Sequence, residues 1–354
     1  MRKKSKMSMR YNVAVVGATG AVGEELFRVM EDLDFPIGEL LPLASAKSVG
    51  TSITFKNKDY PVVELTDTVF EENEVHIAFF SAGGSISAKF AKYAVEGGAV
   101  VIDNTSHFRM EPNIPLVVPE VNPEDISLWK ETGIIANPNC STIQMVQALK
   151  PLDDLYGIKR VDVSTYQATS GAGKAGMEEL VNQMQDFFAF KLNETKKEAF
   201  MHQIALNVIP HVDTPQPNGF TKEEMKMINE TQKIMKKQID IAATCVRVPV
   251  LRSHSESITV TFGDDIDIDL GEVKDALDNF ENVEVMDDLE NGIYPMPIIS
   301  TDTDTTFVGR LRKDIYSDNI LHMFNAADQV RVGAATNSVR IGLKWIEMQK
   351  DDMC

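Results

Sequence analysis

A chain of 354 residues is longer than one core usually holds and predicts about two domains. Its 43% apolar and 25% charged residues are those of a folded globular protein, and a net charge of −18 argues against a nucleic-acid partner, which would need a basic face. No apolar run approaches the roughly 20 residues of a membrane span, so no membrane partner is expected. Three cysteines (Cys140, Cys245, Cys354) without metal-type spacing argue against a disulfide framework and a zinc site, and for a reducing cytoplasm. The opening "MRKKSKMSMR" is basic, but no apolar stretch follows it. It reads as a tail rather than a secretory signal.

In chain order, "YNVAVVGATGAVGEELFRVME" predicts a strand over 13–16, a turn with Gly17, Gly20 and Gly23, and a helix. Such a turn lets backbone N–H groups approach a pyrophosphate at a helix start. The next strand, "ELLPLAS", runs into "SAKSVG". An NAD site usually carries an acid about 20 positions past the glycines. Here Ser45, Lys47 and Ser48 offer a cation and two hydroxyls, which suit the 2′-phosphate of NADP; the alternative is an ordinary polar loop. The strands "VHIAFFSAGG", "GAVVIDNTS" and "GIIANPNC" alternate with helical stretches such as "SAKFAKYAVEGG". That order predicts a doubly wound parallel sheet with its ligand crevice at the carboxyl ends of the strands. Segments 81–84, 104–109 and 137–140 end there.

The stretch "NPNCSTIQMV" (137–146) puts Cys140 where a helix begins. First-turn N–H groups and the helix dipole lower a thiol pKa there, which makes Cys140 a candidate nucleophile; the alternative is a small buried hydrophobe. "RVDVSTYQATSGAGKAG" alternates as a strand and ends in a glycine-rich loop, and the helix "MEELVNQMQDFFAFK" follows. Beyond the turn-rich "DTPQPNG", "TKEEMKMINETQKIMKK" is an amphipathic helix with Met225, Ile228 and Met235 on its apolar side. Glu223 and Lys226 share a face at i, i+3, a spacing usual for a solvated pair. "AATCVRVPVLRSHSESITVTF" predicts strand, break and strand, with Arg247 and His254 seven residues apart and Cys245 as core packing. A lone histidine is commonly structural, though a Ser-His-Ser-Glu setting is polar. "NAADQVRVGAATNSVRIGLKWIEMQ" reads as a closing helix that packs back on the first domain.

Taken together, "VAVVGATGAVGEE", "LASAKSVG", "VIDNTSHFRM", "NPNCSTIQMV", "VSTYQATSGAG", "EEMKMINET", "ATCVRVPVLRSHSES" and "GAATNSVRI" resemble the aspartate-β-semialdehyde dehydrogenase family over nearly the whole chain. The resemblance implies an α/β fold. A Rossmann-type NADP-binding domain (1–139, completed by 330–354) would precede an α+β catalytic and dimerisation domain (140–329) of the glyceraldehyde-phosphate-dehydrogenase-like C-terminal type. It implies NADPH-dependent conversion of aspartyl phosphate to aspartate semialdehyde and inorganic phosphate, a step toward lysine, methionine, threonine, isoleucine and diaminopimelate. A homodimer or a tetramer is expected.

By the same resemblance Cys140 matches the acyl-thioester nucleophile, His254 the acid–base residue and Gln167 a substrate-orienting glutamine. Arg247 matches the receptor of the α-carboxylate, Glu223 that of the amino group, and Lys226 with Arg109 the phosphate-binding pair. Gly17, Thr19, Gly20, Ala21 and Val22 match the pyrophosphate turn, and Lys47 with Ser48 the 2′-phosphate site. Ser170, Gly171 and Gln329 match further cofactor contacts. Lys47 stands where many relatives carry arginine, and "VRVGAA" after Gln329 where many are more apolar.

The chemistry asks for such a set. A thiolate displaces phosphate and leaves a thioester, a better hydride acceptor than the acyl phosphate. His254 would take the thiol proton and later return one, and helix N–H groups beyond Cys140 would stabilise the oxyanion. Two alternatives are N-acetyl-γ-glutamyl-phosphate reductase, whose substrate has no free ammonium for Glu223, and a catalytically silent paralogue, which would be expected to have lost Cys140 or His254.

Overall fold

The computed structural model describes residues 9–352, so the basic opening (residues 1–8) and Cys354 lie outside the described residues. Strands β1 (Tyr11–Val16), β2 (Ile37–Ala44), β5 (Val63–Glu64), β6 (Ile77–Phe80), β7 (Val100–Asp103) and β8 (Ile134–Ala136) form one sheet in the order β5-β2-β1-β6-β7-β8. All its pairings are parallel. β6, β7 and β8 are buried at every residue, which is why they read as unbroken apolar runs rather than as alternation. Between β2 and β5 a hairpin, β3 (Ser52–Phe55) with β4 (Lys58–Pro61), stands apart from the sheet. Helix α1 (Ala21–Asp32) buries Leu26, Phe27, Val29 and Met30, while Arg28 and Glu31 do not join that core. The short α2 (Val69–Glu72) and α3 (Gly84–Glu96) complete the crossovers.

The second sheet is mixed, in the order β10-β9-β11-β14-β13-β12. Its strands are β9 (Arg160–Gln167), β10 (Asp240–Arg247), β11 (His254–Thr261), β12 (Val283–Val285), β13 (Thr306–Lys313) and β14 (Ile320–Ala327). Helices α4 (Cys140–Tyr156), α5 (Gly173–Phe188), α6 (Lys222–Met235), α7 (Leu270–Asp278) and α8 (Pro297–Ser300) accompany it. Met145, Leu149 and Leu152 of α4 share one core with Met227 of α6, Val161 and Val163 of β9 and Ile258 and Val260 of β11. α9 (Asn337–Asp352) ends the described chain, and its Gly342 lets Phe35 and Phe79 come close.

By compactness one unit takes the described residues through Val117, 124–137 and those from Asn337; the other takes 118–123 and 138–336. The expected boundaries were 139/140 and 329/330. Residues 325–349 are not one helix: β14 runs to Ala327, a π-helical turn covers Arg331–Thr336, and only then does α9 begin. The turn packs on α4, so it stays with the second unit. No helix among the described residues is long and apolar enough to cross a membrane.

Candidate active site

The start of α4 is built by Asn139. Its Oδ1 accepts from the backbone N–H of Ser141 (3.0 Å) and of Thr142 (3.4 Å), closing the helix end. Its Nδ2 donates to Glu223 Oε1 at 3.0 Å, and its own N–H donates to Glu230 Oε2 at 2.6 Å. Cys140 is half-buried and forms no disulfide among the described residues. Gly333 of the π-helical turn crowds it: a Cβ there would lie 2.6 Å from Cys140 Cβ. Contrary to the role expected of them, the N–H groups of Ser141 and Thr142 do not face an open oxyanion site, because both donate to Asn139 Oδ1.

Glu223 is buried and accepts from three donors: Asn139, Gln167 Nε2 at 3.0 Å and Lys226 Nζ at 3.0 Å. Burial opposes its charge, but Lys226 and the two amides outweigh burial and hold its carboxyl below the usual range. Lys226 also reaches Asp213 Oδ2 at 2.7 Å, so both partners of its ammonium are carboxylates. Burial works against that cation as well, and the two acids raise its pKa. The Glu223–Lys226 spacing is therefore not that of a solvated pair. Met225, Ile228 and Met235 are only half-buried; the inward face of α6 carries Glu223, Met227, Glu230 and Ile234. α6 is packed through Met227 and Ile234, and that turns two carboxylates inward with them.

His254 opens β11 and is fully buried. The Ala168 N–H donates to its Nδ1 at 3.0 Å, while Nε2 meets no hydrogen-bond partner among the described residues. Burial, reinforced by the Arg247 guanidinium, takes its pKa down to about 3. Arg247 donates from Nη1 to the Ala168 carbonyl at 2.7 Å and lies over the Phe200 ring. Both side chains close on Gly171, where a Cβ would fall 2.6 Å from Arg247 Nη1 and 3.3 Å from His254 Nε2. Burial lowers the Arg247 pKa, and Glu223 and Cys140 act to raise it. Next to this group Gln329 accepts from the Ser253 N–H at 2.8 Å and donates to Ser170 Oγ. Arg331 and Asp304 form a bidentate pair at 2.9 Å, which accounts for the polar "VRVGAA".

In the other unit, Gly17, Thr19, Gly20 and Ser48 line a pocket of about 620 Å³ together with Ser45, Glu64 and Ser81. Ala21 and Val22 open α1, and Lys47 sits in the single turn Ala46–Ser48 without lining the pocket. Gly17 has φ +90°, and a Cβ on Gly23 would fall 2.1 Å from the Gly17 carbonyl oxygen, so this turn requires both glycines. Gly20 caps α1 without a side chain. Its backbone and first-turn donors fit a pyrophosphate. Arg109 is buried, donating to the carbonyls of Asn137 (2.9 Å) and Asn104 (2.8 Å).

Sequence reasoning missed Asn139, Glu230, Gly333 and a buried polar cluster. In that cluster Gln144 Nε2 donates to Asn325 Oδ1, and Asn325 Nδ2 to Glu256 Oε2, each at 2.9 Å. An asparagine directly before a helix was a readable cap signal, and acids seven apart on the face that carries Met227 and Ile234 were a second. Cys245 is wholly buried, and burial raises its thiol pKa, in keeping with core packing.

Two family descriptions match the chain: "Semialdehyde dehydrogenase, NAD binding domain" over residues 12–129 and "Semialdehyde dehydrogenase, dimerisation domain" over 149–332. An aspartate-semialdehyde dehydrogenase of Campylobacter jejuni is 62% identical over 97% of this chain and 99% of its own. The crystal structure of aspartate semialdehyde dehydrogenase II from Vibrio cholerae complexed with ASA matches with a TM-score of 0.92 at 45% identity, over 96% of this chain and 99% of that one. The Candida albicans aspartate semialdehyde dehydrogenase, solved with NADP, shares the fold at a TM-score of 0.72 and 24% identity, again over 96% and 99%.

Proposed function

The chain belongs to the aspartate-semialdehyde dehydrogenase family, oxidoreductases of aspartate-family amino-acid biosynthesis, and from that premise we propose a reductive dephosphorylation of L-4-aspartyl phosphate through a thioester on Cys140. The products are L-aspartate 4-semialdehyde and inorganic phosphate. The observation that carries this reading is that one side chain, Asn139, both caps the helix of Cys140 and bonds to Glu223. Nucleophile and ammonium receptor are thus set by the same amide. The ionised, buried Glu223 asks for a cationic group, which an N-acetylated substrate lacks.

Each charge of the substrate then has a counterpart. Arg247 takes the α-carboxylate through its fork, which fixes orientation as well as sign. Glu223 takes the ammonium, with Gln167 sharing its oxygen. Lys226 takes the phosphoryl group, leaving Asp213 to do so, and Arg109 is the second phosphate contact. These cations answer the unfavourable field of a chain with net charge −18.

NADP is the proposed cofactor. Gly17, Thr19, Gly20, Ala21 and Val22 would hold its pyrophosphate, Lys47 and Ser48 its 2′-phosphate, and Ser170, Gly171 and Gln329 its nicotinamide end. When bound it supplies the hydride. A homodimer is proposed as well: the second unit matches a dimerisation domain and leaves Phe187, Phe188, Phe190, Met201 and Val208 exposed, an apolar display unusual for a monomer. Free thiols and thiolate chemistry suit a cytoplasmic setting.

The test is NADP reduction by L-aspartate semialdehyde with and without inorganic phosphate. Reduction that requires phosphate is expected, and Cys140→Ala should abolish it while leaving NADP binding intact. Phosphate-independent reduction, or full activity of that variant, would overturn the mechanism.

A further inference from the structure

We propose that Glu256 is a positioning residue that works as a neutral carboxylic acid: its Oε1–H donates to Gln144 Oε1 and closes a ring of three side chains one turn into the helix of Cys140. What the ring positions rests on the thioester reading above; the ring itself does not. Two of its three bonds are direct. Gln144 Nε2 donates to Asn325 Oδ1, and Asn325 Nδ2 to Glu256 Oε2, each at 2.9 Å. Left over are two oxygens, Glu256 Oε1 and Gln144 Oε1, both buried and without a hydrogen-bond partner among the described residues.

A count of hydrogens carries the argument. Each amide has two to give. Besides Asn325, Gln144 Nε2 reaches the His254 carbonyl at 3.5 Å; besides Glu256, Asn325 Nδ2 reaches the Gln144 carbonyl at 3.3 Å. All four are spent. An ionised Glu256 only accepts, so the cluster would keep two buried oxygens with no hydrogen to share, which is costly. One proton on Glu256 Oε1 covers that oxygen and supplies the donor that Gln144 Oε1 lacks. Each member of the ring then donates once to the next and accepts once. Across the sheet Glu256 faces Thr165 of β9 and Asn325 of β14. The titratable groups around it are Cys245, in register with Thr165, Glu224 of α6, which accepts from the Cys245 N–H at 3.1 Å, and His254 two residues away on β11. The thiol and the acid offer no positive charge, and the imidazole does not enter the balance. That balance is burial against the amides of Asn325 and Gln144, and burial wins.

The ring ties together the pieces that hold the nucleophile. Gln144 lies four residues beyond Cys140, on the same face of α4. Asn325 is near the end of β14, which runs on through Asp328 into the turn whose Gly333 crowds Cys140. Cys140 is therefore held from its own helix and from β14, and Glu256 joins the two holds. Ionisation opens the ring and leaves both amides to repack around a buried charge.

Two measurements test this on the whole protein. Infrared spectra of ¹³C-glutamate-labelled and unlabelled protein read the acid directly, because a protonated carboxyl absorbs above the amide band. At about pH 6.5 an isotope-sensitive acid band is expected in wild type and not in Glu256→Gln. It should bleach as pH rises, with a midpoint of about 8. No such band, or one that Glu256→Gln retains, overturns the proposal. Turnover reads the positioning. Glu256→Leu should lower kcat on the order of tenfold with KM for aspartate semialdehyde within about twofold. Glutamine keeps one accepting and one donating position, so Glu256→Gln should restore most of that loss. It should also lack the decline in kcat that wild type shows as pH rises through about 8. The same decline in wild type and Glu256→Gln, or a leucine variant that loses stability with kcat unchanged, would reduce the cluster to packing and overturn the proposal. Should the leucine variant not fold, the glutamine profile and the acid band decide. Turnover by Cys140→Ala would instead defeat the thioester reading and leave the acid band standing.

Discussion

Two helix starts do opposite things with the same backbone groups. At α1 the N-cap is Gly20, which has no side chain to spend on the first-turn N–H groups, and the glycines around it let a ligand approach the backbone. At α4 the N-cap is Asn139, whose carbonyl oxygen takes the N–H of Ser141 and Thr142 and whose amide nitrogen reaches Glu223. The first start is left open for an anion; the second is closed, so that it holds Cys140 still. A helix N-terminus thus predicts a site only after its cap is known.

The largest expected effects separate the two. Gly23→Ala puts a methyl group 2.1 Å from the Gly17 carbonyl oxygen, a backbone atom with nowhere to go. It should cost on the order of 3 kcal/mol of stability and abolish NADP binding by calorimetry. Gly333→Ala puts its methyl 2.6 Å from Cys140 Cβ. It should leave NADP affinity within a few-fold and lower kcat on the order of 100-fold, as displaced nucleophiles do. Equal loss of cofactor binding in both variants would erase the distinction.

Asn139→Ala opens the closed start. Losing a cap costs about 1 kcal/mol, which urea denaturation will resolve. Its larger effect should be on turnover, because Glu223 loses one of its three donors and Cys140 its fixed helix end. The expected signature is a rise in KM for aspartate semialdehyde together with a fall in kcat. A fall in stability alone would make Asn139 a cap and nothing more.

How much of this was legible in the sequence follows from contact range. The strand–turn–helix around Gly17, Gly20 and Gly23 is a local motif, and continuous apolar strands announce a sheet covered on both faces. Cys140 was found because "NPNC" before an apolar pattern marks a helix start within four residues. Glu230 was missed because its bond to the Asn139 N–H joins residues 91 apart, and its helix, judged by methionines, pointed the wrong face inward. The partial misreading of residues 325–349 has a similar cause. Asp328 takes the N–H groups of Val330 and Arg331 and starts a π-helical turn whose glycine fits against Cys140, a constraint from another element. The contact of His254 Nδ1 with the Ala168 N–H joins residues 86 apart, which no spacing rule could supply.

A smaller effect tests the polar cluster beneath the closed start. Burial raises the Glu256 carboxyl from an ordinary 4.5 to about 8, against the lowering bonds of Asn325 and Gln144. Folded protein therefore binds more protons than unfolded protein between those values, and stability falls as pH rises through that window. Below about pH 4.5 both states are protonated and the group contributes no penalty. Glu256→Gln removes the titration and keeps a neutral side chain. Its stability relative to wild type should improve progressively as pH rises from about pH 5 to pH 8. A pH-independent difference in urea denaturation would show that Glu256 is ionised in the fold.

The smallest expected change sharpens the open start. Lys47 lies in the turn Ala46–Ser48 beside the pocket but not on its wall, whereas Ser48 and the acid Glu64 are on it. A single flexible ammonium sharing that neighbourhood with a carboxylate should hold a 2′-phosphate loosely. Lys47→Arg supplies a fork of donors on a longer reach, which suits phosphate better than a point charge. KM for NADP should fall by roughly threefold at low ionic strength and converge on the wild-type value as salt screens the contact, while KM for NAD stays put. The NAD control is what gives the measurement its meaning: NAD lacks only the 2′-phosphate. If both cofactors improved together, the new arginine would be acting on the pyrophosphate, and the 2′-phosphate would have to be read by the backbone and Ser48 instead.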